Sequence, residues 1–478
     1  MNTFVQAVEN AVNEAVARTE NGMKARATTA NAVLDFFSKA GSSRGTVLKR
    51  EFDAALAEDV DLAIRTLLWT RDVRGGAGER KQFRDLLSSL EAQNPGLAGA
   101  IMHMVPVVGR WDDLFTYRDP LNRKAALRMY ADALMDGNGL AAKWAPREKS
   151  KKASVANELR KFMQLSPKEY RKLLVRNTDV VETRMCQKDW NEIDFSTIPS
   201  LAAARYQKAF GRNAGEAYAA YLRELQKPES ERDPKVKINA GAVYPYDVVK
   251  SVRSGNAAVA NEQWKALPNF VGDAKIMPLV DVSGSMTWGN MPGNLTPMQV
   301  AVSLGLYLSE KNTSVFKDLF MTFESTPKFI TSKGTLSQRV TQMESAPWGG
   351  STNLHAAFKL LLDTAVKGKV KAEDMPDTIL ILSDMQFNHC VNHDDSAIEM
   401  IGRKYREAGY ERPKVVFWNL NGDYGRDNQP VRFDEKGTAL VSGFSPAVMK
   451  SVLADDLEDY TPYNVMVKTL MVDRYNWK

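Results

Sequence analysis

The sequence predicts two modules of different fold class, an all-α module followed by a doubly wound α/β module. Helical periodicity with almost no strand signal extends from residue 1 to about residue 230. After residue 270, short apolar runs suited to buried parallel strands alternate with helical segments. The composition, 44% hydrophobic and 26% charged, is that of a folded globular protein. We therefore predict a helical domain over 1–230, a linker over 231–270 and an α/β domain over 271–478.

The helical module is predicted from amphipathic segments separated by turns rich in Gly, Pro and Asn. A first helix is expected from the valines at positions 5, 8, 12 and 16. Further helices are expected over 63–73, 78–93, 122–137, 157–165, 166–176, 200–210 and 214–225. A series of short antiparallel helices is typical of an α-solenoid, in which each repeat is buried against its neighbours. Residues 227–245 are polar, contain three prolines and indicate the linker.

In the second module, strands are expected over 275–286, 318–323, 377–385 and 414–420, and helices over 298–311, 335–345, 353–366 and 397–409. Ligands of doubly wound sheets bind at the carboxyl ends of the strands. The first strand leads into Asp281, Ser283 and Ser285, and the strand expected over 377–385 has Asp384 at its carboxyl end. Between them, Thr352 lies in a turn that opens a helix. Mg²⁺ takes about six oxygen ligands at about 2.0–2.1 Å, so these five side chains predict a site for Mg²⁺ or another divalent cation.

These residues match the D-x-S-x-S, G-G-(S)-T and D elements of the metal-ion-dependent adhesion site (MIDAS), and the module resembles a von Willebrand A domain. The resemblance implies that the serines and the threonine approach the ion most closely, while the aspartates act largely through water. It also implies that an anionic oxygen of a partner completes the shell. The extra Ser351 leaves the third hydroxyl ligand open, and we expect Thr352. In the alternative reading, each residue only caps a turn or a helix.

Positive charge is concentrated in the helical module. Residues 271–478 carry 22 basic and 25 acidic residues, whereas residues 141–176 alone carry 11 basic and 3 acidic residues. Such clustering indicates a polyanion binder, although a solvated helical face of mixed charge would look similar. Trp144 and Tyr170 are interleaved with the charges and could stack on bases. The RNA-binding candidates of this segment are Lys143, Trp144, Arg147, Lys149, Lys151, Lys152, Arg160, Lys161, Lys168, Arg171, Lys172 and Arg176.

A glycine-rich string over 71–80, R-D-V-R-G-G-A-G-E-R, allows two interpretations. Its glycines could let backbone N–H groups approach a phosphate, with Arg74 and Arg80 beside it as further RNA-binding candidates. Alternatively, the string ends one helix and begins the next, with its charged residues in structural ion pairs.

Four short motifs carry a second resemblance. They are T-E-N-G at 19–22, L-D-F-F at 34–37, the glycine-rich string, and G-R-W-D-D-L at 109–114. The chain resembles a family of phage, bacterial and plant proteins that is distantly similar to the Ro autoantigen. The TROVE module of Ro-like proteins is a ring of HEAT-like helices closed by a von Willebrand A domain. The resemblance implies binding of small noncoding RNA and of single-stranded RNA ends, without enzymatic activity.

Other functional classes have little support. The sequence has no phosphate-binding loop motif, and none of its four histidines is paired with a nucleophile motif. We therefore expect that the protein is not an enzyme. His389, Cys390 and His393 have a spacing known from zinc sites, but no second cluster completes four ligands, and an exposed loop is expected. The chain has only two cysteines and an N-terminus that does not resemble a signal peptide, which favours a cytoplasmic protein. It has no apolar run of about 18 residues, so we expect no membrane partner. We expect the protein to be a monomer.

The sequence thus predicts an RNA-binding or ribonucleoprotein scaffold protein whose metal site binds a partner. The alternative is a protein-binding adaptor that holds an acidic partner residue at the metal and has no role in RNA binding.

Overall fold

The structure, a computed structural model, describes residues 16–43, 46–255, 257–287, 295–344, 350–389, 394–421, 428–454, 457 and 459–478. The predicted first helix lies outside these residues except for Val16, which begins a strand. This strand, β1 (Val16–Arg18), pairs antiparallel with β2 (Lys24–Arg26), so the helical module contains a hairpin that helical periodicity did not predict.

The rest of the N-terminal region is rich in α-helix, as expected. All seven predicted segments after the first contain a helix. The helices are α1 (Ala32–Ala40), α2 (Lys49–Glu58), α3 (Val60–Arg71), α4 (Arg80–Gln93), α5 (Pro95–Ala100), α6 (Val105–Val108), α7 (Pro120–Met135), α8 (Gly139–Trp144), α9 (Ala153–Phe162), α10 (Pro167–Asn177), α11 (Val181–Gln187), α12 (Ser200–Asn213), α13 (Gly215–Gln226), α14 (Pro245–Arg253) and α15 (Ala257–Lys265).

Side-chain caps set where several of these helices begin. Asn31, Asp59 and Asn138 each accept a hydrogen bond from a backbone N–H of the first turn. Ser166 and Glu169 form a reciprocal capping box at the start of α10, and Pro167 occupies the first helical position, where its missing N–H is not needed.

The segment expected to be a linker contains α14 and α15, and these helices are part of the core. Val248, Val249 and Trp264 are buried together with side chains of the α/β module. The Trp264 indole donates a hydrogen bond to Glu310 at 2.8 Å. The polar, proline-containing residues 227–245 indicated a linker, but the apolar faces of the two helices α14 and α15 are buried against the sheet domain.

The second module is a mixed six-stranded sheet flanked by helices. Its strands are β3 (Ile276–Asp281), β4 (Leu319–Phe323), β5 (Lys328–Thr331), β6 (Thr378–Ser383), β7 (Lys414–Asn419) and β8 (Thr438–Ser442). Its helices are α16 (Pro297–Lys311), α17 (Leu336–Glu344), α18 (Leu354–Lys367), α19 (Ala397–Glu407), α20 (Met449–Val452) and α21 (Pro462–Leu470). The strand order is β5-β4-β3-β6-β7-β8, and only β5 is antiparallel to its neighbour. Numbered within the module, this is the doubly wound order 3-2-1-4-5-6.

Alternate side chains of each central strand enter two different cores, because successive residues of a strand point to opposite faces. Leu279 and Ile381 pack in one core together with the helices of the N-terminal region. Val280 and Leu382 pack on the other face with α14 to α17. The helical region and one face of the sheet therefore share a continuous core. Among the described residues, no helix combines the length and apolar character needed to cross a membrane.

Candidate metal centre and candidate nucleic-acid interface

The centre lies where the strand order of the sheet reverses, between β3 and β6. In doubly wound sheets this switch point forms the ligand-binding crevice at the carboxyl ends of the strands. Asp281 is the last residue of β3, and Asp384 directly follows β6. The two strands are adjacent and parallel, with Val280 opposite Leu382, so both carboxylates reach the same edge of the sheet.

Three hydroxyl groups meet at this edge. The hydroxyl oxygens of Ser283 and Ser285 are 3.2 Å apart, and the Thr352 hydroxyl donates to that of Ser283 at 3.0 Å. Ser283 and Thr352 are each 1% exposed. The loop after β3 is joined to the loop before α18 by a hydrogen bond from the Gly284 N–H to the Gly350 carbonyl, at 3.0 Å. The structure thus brings all three predicted hydroxyls together.

The structure also distinguishes the two hydroxyls left open by the sequence. Ser351 is exposed, its hydroxyl lies 3.4 Å from that of Ser325, and its N–H donates to Ser325 at 3.1 Å. Thr352 instead faces the serine cluster. The preceding Gly350 has φ +98°, and a Cβ there would lie 2.5 Å from the Glu324 carboxylate. This glycine therefore permits the close turn that presents Thr352. Trp348 and Gly349 lie outside the described residues.

The two carboxylates are buried and differ in how they are held. Asp281 accepts hydrogen bonds from the Ser283 N–H at 3.0 Å and from the Ser383 hydroxyl at 2.5 Å. Asp384 accepts from the Gln386 N–H through Oδ1 at 3.2 Å, while its buried Oδ2 has no hydrogen-bond partner. Such an unsatisfied buried carboxylate oxygen is costly unless a cation or an ordered water lies beside it.

Burial, followed by the charge of Asp384, raises the pKa of the Asp281 carboxyl well above its ordinary value. Burial also raises the pKa of Asp384, and a hydrogen bond from the Ser285 hydroxyl partly offsets this increase. Two buried carboxylates at one point are unfavourable, and a divalent cation would offset both charges. The residues therefore fit a hard divalent cation bound mainly by hydroxyl oxygens and water.

The described residues contain no group of three or more histidine, cysteine, aspartate or glutamate side chains arranged to hold a metal ion. The predicted centre has only two carboxylates and depends on its hydroxyls. For the weaker zinc alternative, Cys390 and His393 lie outside the described residues, and the exposed His389 lies 3.5 Å from Asp394.

The basic segment forms the candidate nucleic-acid interface. Lys149, Lys151, Lys161 and Lys168 are exposed and form no ion pair with any residue of the described parts of the chain. They lie in the loop before α9, in α9 and in α10. Further exposed candidates are Arg74, Arg80, Arg147, Lys172 and Arg176.

Other candidates of this segment are engaged in ion pairs. Arg160 and Arg171 both contact Glu148, at 3.3 and 3.0 Å. Lys143 lies 4.0 Å from Glu182, and Lys152 lies 2.8 Å from Asp112. These contacts reduce the charge available to a polyanion.

The predicted stacking role of Tyr170 is wrong. Tyr170 is fully buried and its hydroxyl donates to the Pro146 carbonyl at 3.0 Å, because α10 packs its apolar face against the preceding helices. Trp144 is half-buried, and the Arg110 guanidinium lies 3.8 Å from its ring centroid. One face of this indole is therefore covered by a cation within the protein.

The glycine-rich string matches the structural interpretation. Asp72 is fully buried, and its carboxylate accepts the N–H groups of Arg74 at 3.0 Å and Gly75 at 3.2 Å. Gly76 and Gly78 donate to the Asp72 carbonyl at 3.1 and 3.0 Å. The N–H groups proposed to bind a phosphate are thus used within the turn, although the Arg74 side chain remains exposed.

Comparison with known proteins places the chain in a family. A protein-family model described as domain of unknown function DUF7788 matches residues 275–472. A second family model, described as domain of unknown function DUF2828, matches residues 129–273. The crystal structure of the Ro (RSR) protein of Deinococcus radiodurans aligns with this chain at 15% sequence identity. The alignment includes 93% of this chain and 99% of the Deinococcus chain. Its TM-score of 0.38 is too low to support an inference. Uncharacterized protein L728 of Acanthamoeba polyphaga mimivirus is 31% identical over 95% of this chain and 86% of its own length. The chain belongs to the family of this mimivirus protein.

Proposed function

We propose that this protein is an RNA-binding or ribonucleoprotein scaffold protein with two separate binding sites. A basic surface, defined here as Lys149, Lys151, Lys161 and Lys168, binds single-stranded or small noncoding RNA. The metal centre binds an acidic group of a partner. The observation that carries the RNA proposal is that these four lysines are exposed and lack ion pairs among the described residues. Phosphate binding would neutralise them and release counterions.

The proposal assigns the α/β module to the von Willebrand A type and its centre to the MIDAS type, with Mg²⁺ as the ion. The strand order and the five converging residues support this assignment. We also propose that the helices form a HEAT-like solenoid closed into a ring. This part of the proposal is supported by the four motifs, through which the chain resembles a family that is distantly similar to the Ro autoantigen.

The proposed role is binding without catalysis, in the cytoplasm and as a monomer. Cys186 is exposed and free, and the second cysteine belongs to the other module, which suits a reducing compartment.

The experiment that tests RNA binding is a titration of labelled single-stranded RNA at several salt concentrations. Reversal of all four lysines of the basic surface to glutamate should weaken binding at least thirtyfold. Each lost phosphate contact should also reduce the salt slope by about 0.7. The control reverses Lys317 and Lys333, which are exposed on the α/β module and form no ion pair with a described residue. Equal affinity of the quadruple variant and the wild type would contradict the proposal.

A protein-binding adaptor is the second candidate. It is favoured by features that reduce the surface available to RNA. Tyr170 is buried, one face of Trp144 is covered by Arg110, and Lys152, Arg160 and Arg171 form ion pairs within the protein. Crosslinking and sequencing of bound RNA distinguishes the two. An adaptor would yield no RNA but would bind an acidic peptide in the presence of Mg²⁺ only.

A further inference from the structure

A cavity of about 230 Å³ lies between the helical module and the carboxyl ends of the parallel strands β6, β7 and β8. On one side it is bordered by Ser38 and Lys39 of α1. On the other side it is bordered by Phe417 and Asn419 of β7 and by Leu440 of β8. We propose that this cavity binds a nucleobase, either of a free nucleoside or of a single-stranded nucleic acid. The inference adds a third site to the two proposed above and depends on neither of them.

Hydrogen bonds between the two modules hold the walls of the cavity in place. The Ser442 hydroxyl at the end of β8 donates to the Phe37 carbonyl of α1 at 3.0 Å, and the Gly41 N–H donates to the same hydroxyl at 3.0 Å. The Gln429 side chain donates to the Ser38 hydroxyl at 3.2 Å. In doubly wound sheets, ligands bind in the crevice at the carboxyl ends of the strands, and here α1 and α2 cover that crevice.

Three side-chain amides that line the cavity have unused hydrogen-bonding groups. Neither end of the Asn428 amide forms a hydrogen bond with a described residue, and its nitrogen is buried. Asn419 accepts the Asn421 N–H through Oδ1 at 2.9 Å, whereas its Nδ2 donates to none of the described residues. Gln429 is buried, and its Oε1 accepts no hydrogen bond within the described parts of the chain. Such groups are costly unless a ligand or an ordered water satisfies them.

The charges around the cavity favour a neutral ligand. Lys39 lies 3.4 Å from Glu51, and Arg50 lies 3.8 Å from the same carboxylate. The Arg50 side chain is 76% exposed, so its charge lies toward the solvent. Asp384 borders the cavity, but its carboxylate belongs to the metal centre. A charged ligand would lose its hydration without gaining an uncompensated opposite charge inside the cavity.

A nucleobase combines the properties that the cavity requires. It is a neutral planar ring with apolar faces and with hydrogen-bond donors and acceptors along its edges. Phe417 and Leu440 are buried and supply apolar walls, while the amides of Asn419, Asn428 and Gln429 supply donors and acceptors. Asparagine and glutamine side chains pair with base edges through two hydrogen bonds. The cavity is smaller than the roughly 300–1,000 Å³ of pockets for drug-sized ligands, which suits one base.

Equilibrium dialysis of the full chain against labelled adenosine, guanosine, cytidine and uridine tests the inference. At least one nucleoside should bind saturably, and ribose should not compete with it. Asn428→Leu removes the amide at nearly constant shape, and we expect nucleoside affinity to fall at least tenfold. Its unfolding midpoint in urea should not fall, because no hydrogen bond to a described residue is lost. Asn261→Leu is the matched control, because Asn261 in α15 also has a buried amide oxygen without a partner and does not line the cavity. It should leave nucleoside affinity within twofold.

Competition experiments identify the source of the base. Displacement of the bound nucleoside by single-stranded RNA, but not by an abasic strand of equal length, would assign an unpaired base of RNA. Absence of displacement by RNA would assign a free nucleoside. Reversal of the four lysines of the basic surface should leave nucleoside affinity within twofold, so this site is tested separately from the proposed RNA-binding surface. If none of the four nucleosides binds saturably, or if Asn428→Leu and Asn261→Leu weaken binding equally, the inference is overturned and the cavity holds only water.

Discussion

Asp72 and Arg474 are 402 positions apart in the chain and form a bidentate ion pair. The carboxylate is fully buried, and Arg474 follows α21 near the end of the α/β module. Tyr475 donates a further hydrogen bond to Asp72 at 3.1 Å. The glycine-rich string is therefore a turn built around the buried Asp72 carboxylate. The contacts of this carboxylate with Arg474 and Tyr475 join the helical module to the α/β module.

Asp72→Ala should destabilise the protein by about 3 kcal/mol. The substitution leaves the N–H groups of Arg74 and Gly75 without their acceptor and removes the partner of Arg474. Urea unfolding followed by circular dichroism measures the change. Asp85→Ala is the control, because its pair with Lys81 is exposed and should contribute less than about 1 kcal/mol. Equal unfolding midpoints for the two variants would contradict a structural role of Asp72.

Asp281→Ala should remove divalent-ion binding and leave RNA affinity within about twofold, a change below roughly 0.5 kcal/mol. The reason is that the basic surface belongs to the helical module, whereas the centre lies in a module with more acidic than basic residues. Mg²⁺ calorimetry and RNA titration at equal salt measure the two effects. A tenfold loss of RNA affinity would show that the metal itself holds RNA.

Thr352→Ala should lower Mg²⁺ affinity at least tenfold, whereas Ser351→Ala should change it less than twofold. Thr352 contacts the Ser283 hydroxyl, while Ser351 lies toward Ser325. Calorimetric titration of both variants measures the difference. The reverse ranking would place Ser351 rather than Thr352 next to the ion.

Asp112 should contribute stability that is lost in acid. Burial raises its pKa, but the hydrogen bond from Lys152 and the charges of Arg110 and Arg84 outweigh burial and lower the pKa from 3.8 to about 2. A depressed folded-state pKa stabilises the fold above pH 3.8, and the contribution disappears as the pH falls through 2. Asp112→Asn should therefore cost about 2 kcal/mol at pH 6 and little at pH 2. Urea unfolding of both proteins from pH 2 to 6 measures this, and a cost that does not change with pH would contradict it.

The sequence alone predicted much of the local structure. Apolar periodicity located the seven helical segments predicted between residues 63 and 225 and the buried strands β3, β4, β6 and β7, because burial of one face determines which residues are apolar. It did not locate the buried strand β8 or the helices α14, α15, α20 and α21. The order of Asp281, Ser283, Ser285, Thr352 and Asp384 also predicted that these residues would meet. The motif lies on adjacent parallel strand ends, and the carboxyl ends of such strands meet at one edge.

Other features were decided only by the tertiary structure, because they depend on which distant residues meet. Local periodicity does not show that α14 and α15 are buried against the sheet, or that Tyr170 faces inward. The Asp72–Arg474 pair and the contact of Glu20 with Gln386 each join residues more than 360 positions apart. Sequence spacing determines which residues can share one face of a helix or strand. Packing of the complete chain determines which charges are paired and which remain free to bind a ligand.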